Sequence, residues 1–348
     1  MLIKKERIPI LQLLFIGILP SPLKKMYYRM RGYRIGKQVK LSLGCVIIGK
    51  DVEIRDHVHI GFLTMVRGRT IHLGRFVKIG SMSVIDTEKI FIDEDARINE
   101  QVFIGGMKTP ESALHLGKRT IVMQLSYLNP TLPITIGDDS GIGGHCLMFT
   151  HGSWNNQLEG FPVKFAPINL GKKVWLPWRV FVMPGTTVGD NVVIGANSLL
   201  QGEIPSNSLA AGNPAKVLRN DYPEVPDEAK KSSILDTIFE DFEKHLKYFE
   251  FNIEKTDNTN GFAWKLTGQG KQSLLYFSKG GVPIDAIKLT DNVLVISGLS
   301  EEGMQQAKKA GWKMILAIDN QKRLGSSDAG EEIATFFSRY GIRFGRMD

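Results

Sequence analysis

Cysteine is scarce in this chain of 348 residues, which contains only Cys45 and Cys146. Two cysteines cannot build the disulfide framework of a small secreted protein, so that class of protein is excluded. A free thiol in an apolar stretch behaves as a small hydrophobic side chain. The sequence therefore predicts two core cysteines and a cytoplasmic protein in a reducing compartment.

Long apolar runs are lacking as well. The apolar segment 8–19 has about 12 residues, whereas a membrane-spanning helix needs about 20. Pro9 and Gly17 interrupt this segment further. Lys4 and Lys5 precede it as they would in a signal peptide, but no small-x-small cleavage site follows Leu19. We therefore predict neither a membrane-spanning helix nor a cleaved signal peptide.

What the sequence does contain is a repeat of six residues between about Ile48 and Leu200, in which an aliphatic residue is usually followed by glycine. The units begin at Ile48, Ile54, Ile60, Leu73, Ile79, Ile92, Ile98, Ile104, Leu116, Ile136, Ile142, Leu170, Leu176, Val182, Val188 and Ile194. A period of six fits neither an α-helix nor an alternating strand, and it is the signature of a hexapeptide β-helix. Three units would complete a coil of about 18 residues, so the aliphatic side chains form one inward ladder that only stacking can bury.

The spacing of the repeat is broken once by a long insertion. Ile136 and Leu170 begin successive coils, yet they lie about 34 residues apart where an unbroken coil needs about 18. The extra residues include Thr150 to Asn156 and continue to Pro167. Because insertions in a solenoid form loops that often lie on the binding face, this segment is predicted to carry function.

Three stretches carry a more specific pattern than the repeat alone: Ala166–Leu176, Met183–Ser198 and Gly212–Arg219. In this order they resemble the hexapeptide-repeat acyltransferases, especially sugar and polysaccharide O-acetyltransferases. The resemblance covers about half of the chain. It implies a left-handed parallel β-helix, a homotrimer of parallel prisms, and acetyl-CoA as co-substrate in the groove between neighbouring subunits, with no metal.

The resemblance also implies a general base, a histidine that projects from the inserted loop, and His151 is the residue at that place. The residue type supports this role independently, because an imidazole with a pKa near 6.5 is suited to take a proton from a poorly nucleophilic sugar hydroxyl. His151 stands where an apolar run gives way to Gly152. The predicted acceptor is a sugar hydroxyl of a glycan, a polysaccharide precursor or a lipid-linked sugar.

Other residues are candidates for contacts with the oxyanion or the acceptor. They are Gly152, Ser153, Asn155, His145 and Trp178. His145 is equally well explained as a solvated turn residue. Trp178 departs from the family pattern of small residues, and it could narrow the groove, stack on the acceptor or pack against a neighbouring domain. Gln124 and Asn129 lie where relatives place an amide side chain, without a clean match.

Small residues and cations stand where the family binds coenzyme A. The candidates are Arg179, Gly195, Ala196, Asn197, Gly212, Asn213, Pro214, Lys216 and Arg219. Small side chains would admit the pantetheine arm beside the backbone, and the cations would pair with phosphates. Ordinary coil corners with solvated cations explain the same residues.

Acidic residues are scarce in the first 40 positions, where Glu6 is accompanied by ten lysines and arginines. This segment carries a net charge of +9, whereas the whole chain carries +8. A basic terminus beside an apolar segment favours an anionic membrane over nucleic acid as partner, so peripheral contact with the inner face of the membrane is predicted for residues 1–40. A compatible alternative is a cap on the open first coil, formed by Leu11, Leu14, Phe15 and Ile18.

The repeat stops after Arg219, and Pro223 and Pro226 mark a linker. An amphipathic helix is predicted over 232–251, followed by alternating short strands and helices. This alternation indicates a small α/β domain with a partly parallel sheet. The predicted domains are therefore a basic segment 1–40, a β-helix 41–219 and an accessory domain 220–348 that positions the acceptor or a partner protein.

Other functions remain open from the sequence. A non-catalytic β-helix scaffold and a sugar N-acetyltransferase share the repeat, although nucleotide-sugar N-acetyltransferases of this class often carry an N-terminal domain that is not evident. A γ-type carbonic anhydrase would use histidines such as His115, His145 and His151 as zinc ligands. Their spacing departs from that family's pattern, so this is the weakest alternative.

Overall fold

A computed structural model of the chain describes residues 15–258, 261–279 and 291–347, without the side chain of Asn258. The apolar residues Leu11 and Leu14 lie outside these ranges. The chain divides into two compact units, 1–224 and 225–348. No helix in the described ranges is both long and apolar enough to cross a membrane.

From residue 15 on, where the structure describes it, the first unit is a parallel β-helix with three sheets, and each complete coil contributes one strand to each sheet. Sheet 1 contains Arg34–Ile35, Asp51–Ile54, Thr70–Leu73, Lys89–Ile92, Ala113–Leu116, Ile134–Ile136, Ile168–Leu170, Thr187–Val188 and Glu203–Ile204. Sheet 2 contains Lys40–Leu41, His59–Ile60, Lys78–Ile79, Arg97–Ile98, Ile121–Val122, Gly141–Ile142, Trp175–Leu176, Val193–Ile194, Ser208–Gly212 and the antiparallel Ala215–Asn220. Sheet 3 contains Val46–Ile48, Met65–Arg67, Val84–Asp86, Phe103–Gly105, Tyr127–Asn129, Leu147–Phe149, Phe181–Val182 and Leu199–Leu200. This arrangement is typical of a left-handed β-helix and confirms the predicted fold class.

The core is the aliphatic ladder that the repeat predicts. In sheet 1, for example, Ile54, Leu73 and Ile92 are aligned by the strand register, and each is at most 1% exposed. Cys45 and Cys146 belong to the same buried core, as predicted. Burial raises the pKa of each thiol to about 11, so both remain protonated at neutral pH.

The three corners of the prism are built differently. At two corners a non-glycine residue with positive φ recurs in coil after coil, which allows a tight turn. Between sheets 2 and 3 these residues are Leu63, Met82, Gln101, Leu125, His145, Arg179 and Asn197. The third corner, between sheets 3 and 1, holds the long insertion 150–167. We call the corner between sheets 2 and 3 the 2/3 corner, and the corner between sheets 3 and 1 the loop corner.

Helix α1 (Ser21–Met30) closes the open end of the first coil. Its side chains satisfy backbone groups that no preceding coil can pair. Tyr28 Oη accepts a hydrogen bond from Ile47 N at 2.9 Å, and Lys24 Nζ donates to Ser42 O. Burial lowers the pKa of Lys24. A helical cap is therefore present, but Phe15 and Ile18, which were expected to cover the coil, are 66% and 65% exposed.

In its described residues, the second unit contains three helices and one mixed sheet of seven strands. The helices are α2 (Glu228–Tyr248), α3 (Glu301–Lys309) and α4 (Asp328–Ser338). Each begins after a capping side chain, from Asp227, Ser300 and Ser327. The strands are Asn252–Asn258, Gly261–Gly268, Lys271–Ser278, Asn292–Ile296, Met314–Ala317, Lys322–Gly325 and Gly345–Arg346. The partly parallel α/β sheet is confirmed. The sequence predicts strands from the apolar runs 262–266, 274–277, 286–289, 293–296 and 314–318; of these, 286–289 lies outside the described residues, and strands Asn252–Asn258 and Lys322–Gly325 fall outside all of them.

Candidate functional site

The inserted loop is fixed to the solenoid at its base by Thr150. This side chain is fully buried, and its Oγ1 donates to Asn129 O at 2.8 Å while accepting from Leu132 N at 2.9 Å. On the return of the loop, Ala166 N donates to Thr150 O at 3.0 Å. Both ends of the insertion are therefore held at one point, directly beside the strand of the preceding coil.

His151 lies on a short antiparallel ribbon that rises from this base. His151 and Gly152 pair with Phe165 and Lys164. The imidazole stacks on the Phe165 ring, with centroids 5.7 Å apart and planes 20° from parallel. Its Nδ1 is buried and has no hydrogen-bond partner among the residues that the structure describes. The ring is thus held in one orientation by a backbone ladder and an aromatic contact.

Beyond the ribbon the loop is exposed. Gly152, Ser153 and Asn155 are all exposed, and a short 3₁₀ turn follows at Gln157–Glu159. Trp154 is 97% and Leu158 95% exposed. Both side chains are therefore accessible for contact with another molecule.

The other candidates lie on the 2/3 corner, one sheet away from His151. Trp178 lies over Gly144, where an added Cβ would collide with the indole. The His145 ring is 5.8 Å from the Trp178 ring. Trp178 therefore packs on the turn of the preceding coil of its own chain, and 43% of its surface remains accessible to a ligand.

Backbone hydrogen bonds stack successive turns of this corner into one column. Arg179 N donates to Gly144 O at 3.1 Å, and Asn197 N donates to Trp178 O at 3.1 Å. One coil further, Gly195 is so close to Ala211 that a Cβ would collide with it. The column continues to Gly212, whose N–H donates to Ser198 Oγ at 3.0 Å. The coenzyme candidates Arg179, Gly195, Ala196, Asn197 and Gly212 are thus brought together on one strip.

The remaining coenzyme candidates lie where the chain turns back on the last coil. Asn213 and Pro214 connect two antiparallel strands, and Lys216 lies opposite Ala211 in that pair. Arg219 places its guanidinium 5.5 Å from the centre of the Tyr222 ring. Lys216 and Arg219 are exposed and can therefore meet a phosphate.

Within one chain the structure does not bring His151 to the coenzyme candidates. The loop corner and the 2/3 corner are the two opposite edges of sheet 3. His151 follows the sheet 3 strand Leu147–Phe149, and His145 precedes the same strand. The two histidines are six residues apart, which in a six-residue repeat predicts that one side of a coil separates them, and this is what the structure shows.

The outer face of sheet 3 carries a continuous apolar stripe that sequence reasoning missed. The strand register aligns Met65, Val84, Phe103, Tyr127, Leu147, Phe181 and Leu199. The aligned outer positions of sheet 1 are mostly polar: Glu53, His72, Phe91, His115, Thr135, Asn169, Thr187 and Glu203. In the sequence, this stripe corresponds to an apolar residue directly before the inward aliphatic residue, and it recurs in every third hexapeptide.

Elsewhere in the described residues there is no metal-binding cluster, and a cavity in the second unit is lined by polar side chains that are all paired. The described residues contain no group of three histidine, cysteine or acidic side chains placed to hold a metal ion. In the second unit a cavity of about 260 Å³ is lined by α2, two strands and the start of α4. Its polar groups pair with each other, as His245 Nε2 does with Glu332 Oε1 at 2.9 Å.

No family model matches the chain. Several known proteins are nevertheless similar in sequence to part of the chain. A Mycobacterium tuberculosis protein named "probable acetyltransferase" is 26% identical over 201 residues, which are 56% of each chain. A Staphylococcus aureus protein named "putative acetyltransferase" is 45% identical over 83 residues, 24% of this chain and 41% of the relative.

The chain is therefore similar, over part of its length, to bacterial proteins named as acetyltransferases. An Escherichia coli protein named "putative colanic acid biosynthesis acetyltransferase" is 42% identical to it over 86 residues, 25% of this chain and 47% of the relative. The chain thus spans about half the length of the relatives that it matches.

Solved structures similar to the chain include two acetyltransferases. An acetyltransferase of Vibrio cholerae in complex with acetyl coenzyme A is 17% identical, with 61% of this chain and 84% of that chain covered and a TM-score of 0.27. A galactoside acetyltransferase in complex with coenzyme A is 20% identical, with 62% and 86% covered and a TM-score of 0.28.

Proposed function

We propose that this protein is an acetyl-CoA-dependent O-acetyltransferase that acts on a sugar hydroxyl of a glycan or polysaccharide precursor, with His151 as general base. The observation that carries the proposal is the placement of His151. It is held by the ribbon and by Phe165 beside the solenoid, in a chain related to acetyltransferases. The name of the Escherichia coli relative supports a polysaccharide acceptor.

The proposed reaction is a direct acyl transfer. The imidazole of His151 takes the proton of the sugar hydroxyl while that oxygen attacks the thioester carbonyl carbon. The tetrahedral intermediate collapses with cleavage of the carbon–sulfur bond, and the imidazolium returns the proton to the CoA thiolate. Backbone N–H groups near Gly152 or Ser153 are the proposed donors to the oxyanion.

The proposed assembly is a homotrimer that contacts through sheet 3. A threefold ring of parallel prisms turns one side of each copy towards the axis. The apolar stripe marks sheet 3 as that side, because a large apolar surface is costly to leave in water. Each edge of sheet 3 then meets the opposite edge of a neighbour, so the loop corner of one copy faces the 2/3 corner of the next.

Acetyl-CoA is proposed to lie along the 2/3 corner of the neighbouring copy. The small residues of the column give the pantetheine arm access to the backbone. The cations Arg179, Lys216 and Arg219 are proposed partners of its phosphates. His151 of one copy would then reach the thioester bound to the next copy, and its buried Nδ1 would find a hydrogen-bond partner at that interface.

A second candidate function is a β-helix scaffold that binds glycan without catalysis. It is favoured by the exposed aromatic Trp154 on the loop, which could stack on a sugar ring.

The enzyme proposal extends to transfer onto a sugar amine, since the same base and coenzyme strip serve an amine acceptor. It also places the protein in the cytoplasm, at the inner face of the membrane.

Acetyl-CoA turnover across bacterial glycans and nucleotide sugars tests the proposal, with thiol release as the readout. We expect glycan-dependent release by the wild type and none by His151→Ala. Turnover that is unchanged in His151→Ala would refute the base assignment. If no glycan supports turnover and calorimetry detects no binding of CoA, the scaffold function replaces the enzyme.

A further inference from the structure

A group of large apolar side chains is exposed at the first-coil end of the solenoid. Between Phe15 and Met30 five of them are in contact with water: Phe15 66%, Ile18 65%, Leu23 46%, Met26 57% and Met30 80% exposed. Leu23, Met26 and Met30 follow one another at helical spacing of three and four residues, so they form one stripe along α1. We call these five residues the end stripe.

The end stripe is separate from the surface by which α1 caps the solenoid. Lys24 and Tyr28 are buried on the opposite side of the helix, where they bond to the first coil. Leu23, Met26 and Met30 therefore face away from the coil and have no packing role within it. Their exposure calls for a partner outside the first unit.

The charge around the end stripe indicates what kind of partner this is. Lys25, Arg29 and Arg31 lie on α1 or directly after it, and Arg29 and Arg31 are exposed. No acidic residue occurs anywhere between Arg7 and Lys50 in the sequence. An apolar stripe beside cations, in a sequence segment without acidic residues, matches a bilayer that carries anionic headgroups.

We propose that the end stripe and its neighbouring cations dock this protein onto anionic phospholipid bilayers, with α1 lying in the plane of the interface. The apolar side chains enter the headgroup–acyl boundary, and Lys25 and Arg29 contact lipid phosphates. The basic residues of 1–14 add charge to the same end of the chain.

Symmetry strengthens this contact, a step that rests on the proposed homotrimer. In a trimer of parallel prisms the three first-coil ends lie in one plane, so three end stripes meet the bilayer together. Linked contacts of this kind raise the overall affinity by about 10²–10⁴ over that of one contact. The solenoid axis then stands perpendicular to the membrane.

This orientation sets the height of His151 above the bilayer. Five strand steps of sheet 3 separate Val46–Ile48 from Leu147–Phe149, the strand that precedes His151. At a strand spacing of about 4.8 Å, His151 lies about 24 Å above the first coil. In a lipid-linked glycan, the acceptor sugar would therefore be separated from the lipid by several sugar units.

Flotation of the full chain with vesicles tests the docking. The probes are vesicles of phosphatidylcholine alone and of phosphatidylcholine with 30% phosphatidylglycerol, about one charge in three lipids. We expect binding only to the anionic vesicles, and we expect it to fall as NaCl is raised. In Lys25→Gln/Arg29→Gln, binding falls about 30-fold, since each cation near the surface contributes about fivefold.

A second variant separates the apolar contribution from charge. Leu23→Ser/Met26→Ser/Met30→Ser is expected to lower binding at least about tenfold at unchanged charge. The matched control is Leu218→Ser/Tyr248→Ser, which removes apolar side chains that are 62% and 82% exposed elsewhere. Circular dichroism and thermal unfolding verify that each variant is folded.

The docking proposal is overturned if the wild type does not float with anionic vesicles at low salt, or if the triple serine variant floats as well as the control. A third contrary result is a change in oligomer mass caused by the triple variant, which would show that the end stripe binds a second copy. These readouts need no turnover, so they remain decisive if the proposed acetyltransferase activity fails its own test.

Discussion

The two edges of sheet 3 differ in how they are built. At the 2/3 corner every coil turns through a residue with positive φ, and the turns stack by backbone hydrogen bonds into a regular column. At the loop corner the coil opens into the insertion 150–167, which carries His151 on its own ribbon. One edge presents repeated backbone, and the other presents one individual side chain.

This difference suggests a division of labour. A regular column of backbone turns, with small residues at Gly195, Ala196 and Gly212, suits a long, thin ligand that lies along the last coils, such as the pantetheine arm of coenzyme A. A loop that interrupts the repeat suits the one position where a reacting group must be oriented. The two parts of the proposed site lie on opposite edges of each chain, so they must come from two copies.

The largest expected effect distinguishes the two histidines that flank strand Leu147–Phe149. His151→Ala should lower kcat/KM by about 10²–10⁴, the usual contribution of a general base. His145→Ala, which removes an exposed ring at the 2/3 corner, should stay within about threefold of wild type, far below that contribution. Steady-state thiol release measures both, and similar losses in the two variants would remove the distinction between the corners.

The second prediction breaks the contact between the edges. Phe103→Asp places a charge in the apolar stripe, where the wild-type ring is 46% exposed in a single chain. A charge buried at an interface without a partner is strongly unfavourable, so we expect monomers and loss of turnover. Light scattering after size exclusion measures the mass. Thr187→Asp, on the polar outer face of sheet 1, is the control that should remain assembled.

A smaller effect is expected for the coenzyme strip. Arg179→Gln should raise KM for acetyl-CoA about tenfold, equivalent to about 1.4 kcal/mol, with kcat little changed. Arg97→Gln, which removes an exposed cation from the outer face of sheet 2, should leave KM unaltered. A fall in kcat without a change in KM would move Arg179 from coenzyme binding to the chemical step.

The smallest effect concerns the tight turns themselves. His145 has a φ of 57°, a conformation that costs a non-glycine residue energy. His145→Gly removes this cost in the folded state, but it also raises the conformational entropy of the unfolded chain. Because the two effects oppose each other, the free energy of unfolding should change by less than about 1 kcal/mol. Denaturant titration measures it. A loss of several kcal/mol would show that the ring, rather than the turn, stabilises this corner.

Much of the solenoid could be predicted because its repeat is local. The aliphatic residue of each hexapeptide fixes the core, and the break in spacing locates the loop and His151. The stacking of Arg179 and Asn197 on one corner follows from the same period, because they are 18 residues apart, which is three units of six. Each of these inferences needs only the spacing of residues along the chain.

Features that depend on a partner strand or an open edge could not be predicted in this way. The cap by Lys24 and Tyr28 depends on which backbone groups of the first coil lack a partner, and the sequence favoured Phe15 and Ile18 instead. The apolar stripe of sheet 3 becomes visible only when the strand register is known. Strand Asn252–Asn258 is rich in polar residues and gives no apolar alternation.

The central claim is that each site combines the loop corner of one copy with the 2/3 corner of another, and mixed oligomers test it most directly. His151→Ala removes the base, and Ala196→Trp fills the exposed coenzyme strip of the other corner. Each variant alone should be inactive. Unfolded together in equal amounts and refolded, they should regain about a quarter of wild-type turnover, because one interface in four then joins an intact loop corner to an intact strip. No recovery from mixtures that are shown to assemble as trimers would contradict the claim and place both parts of the site in one chain.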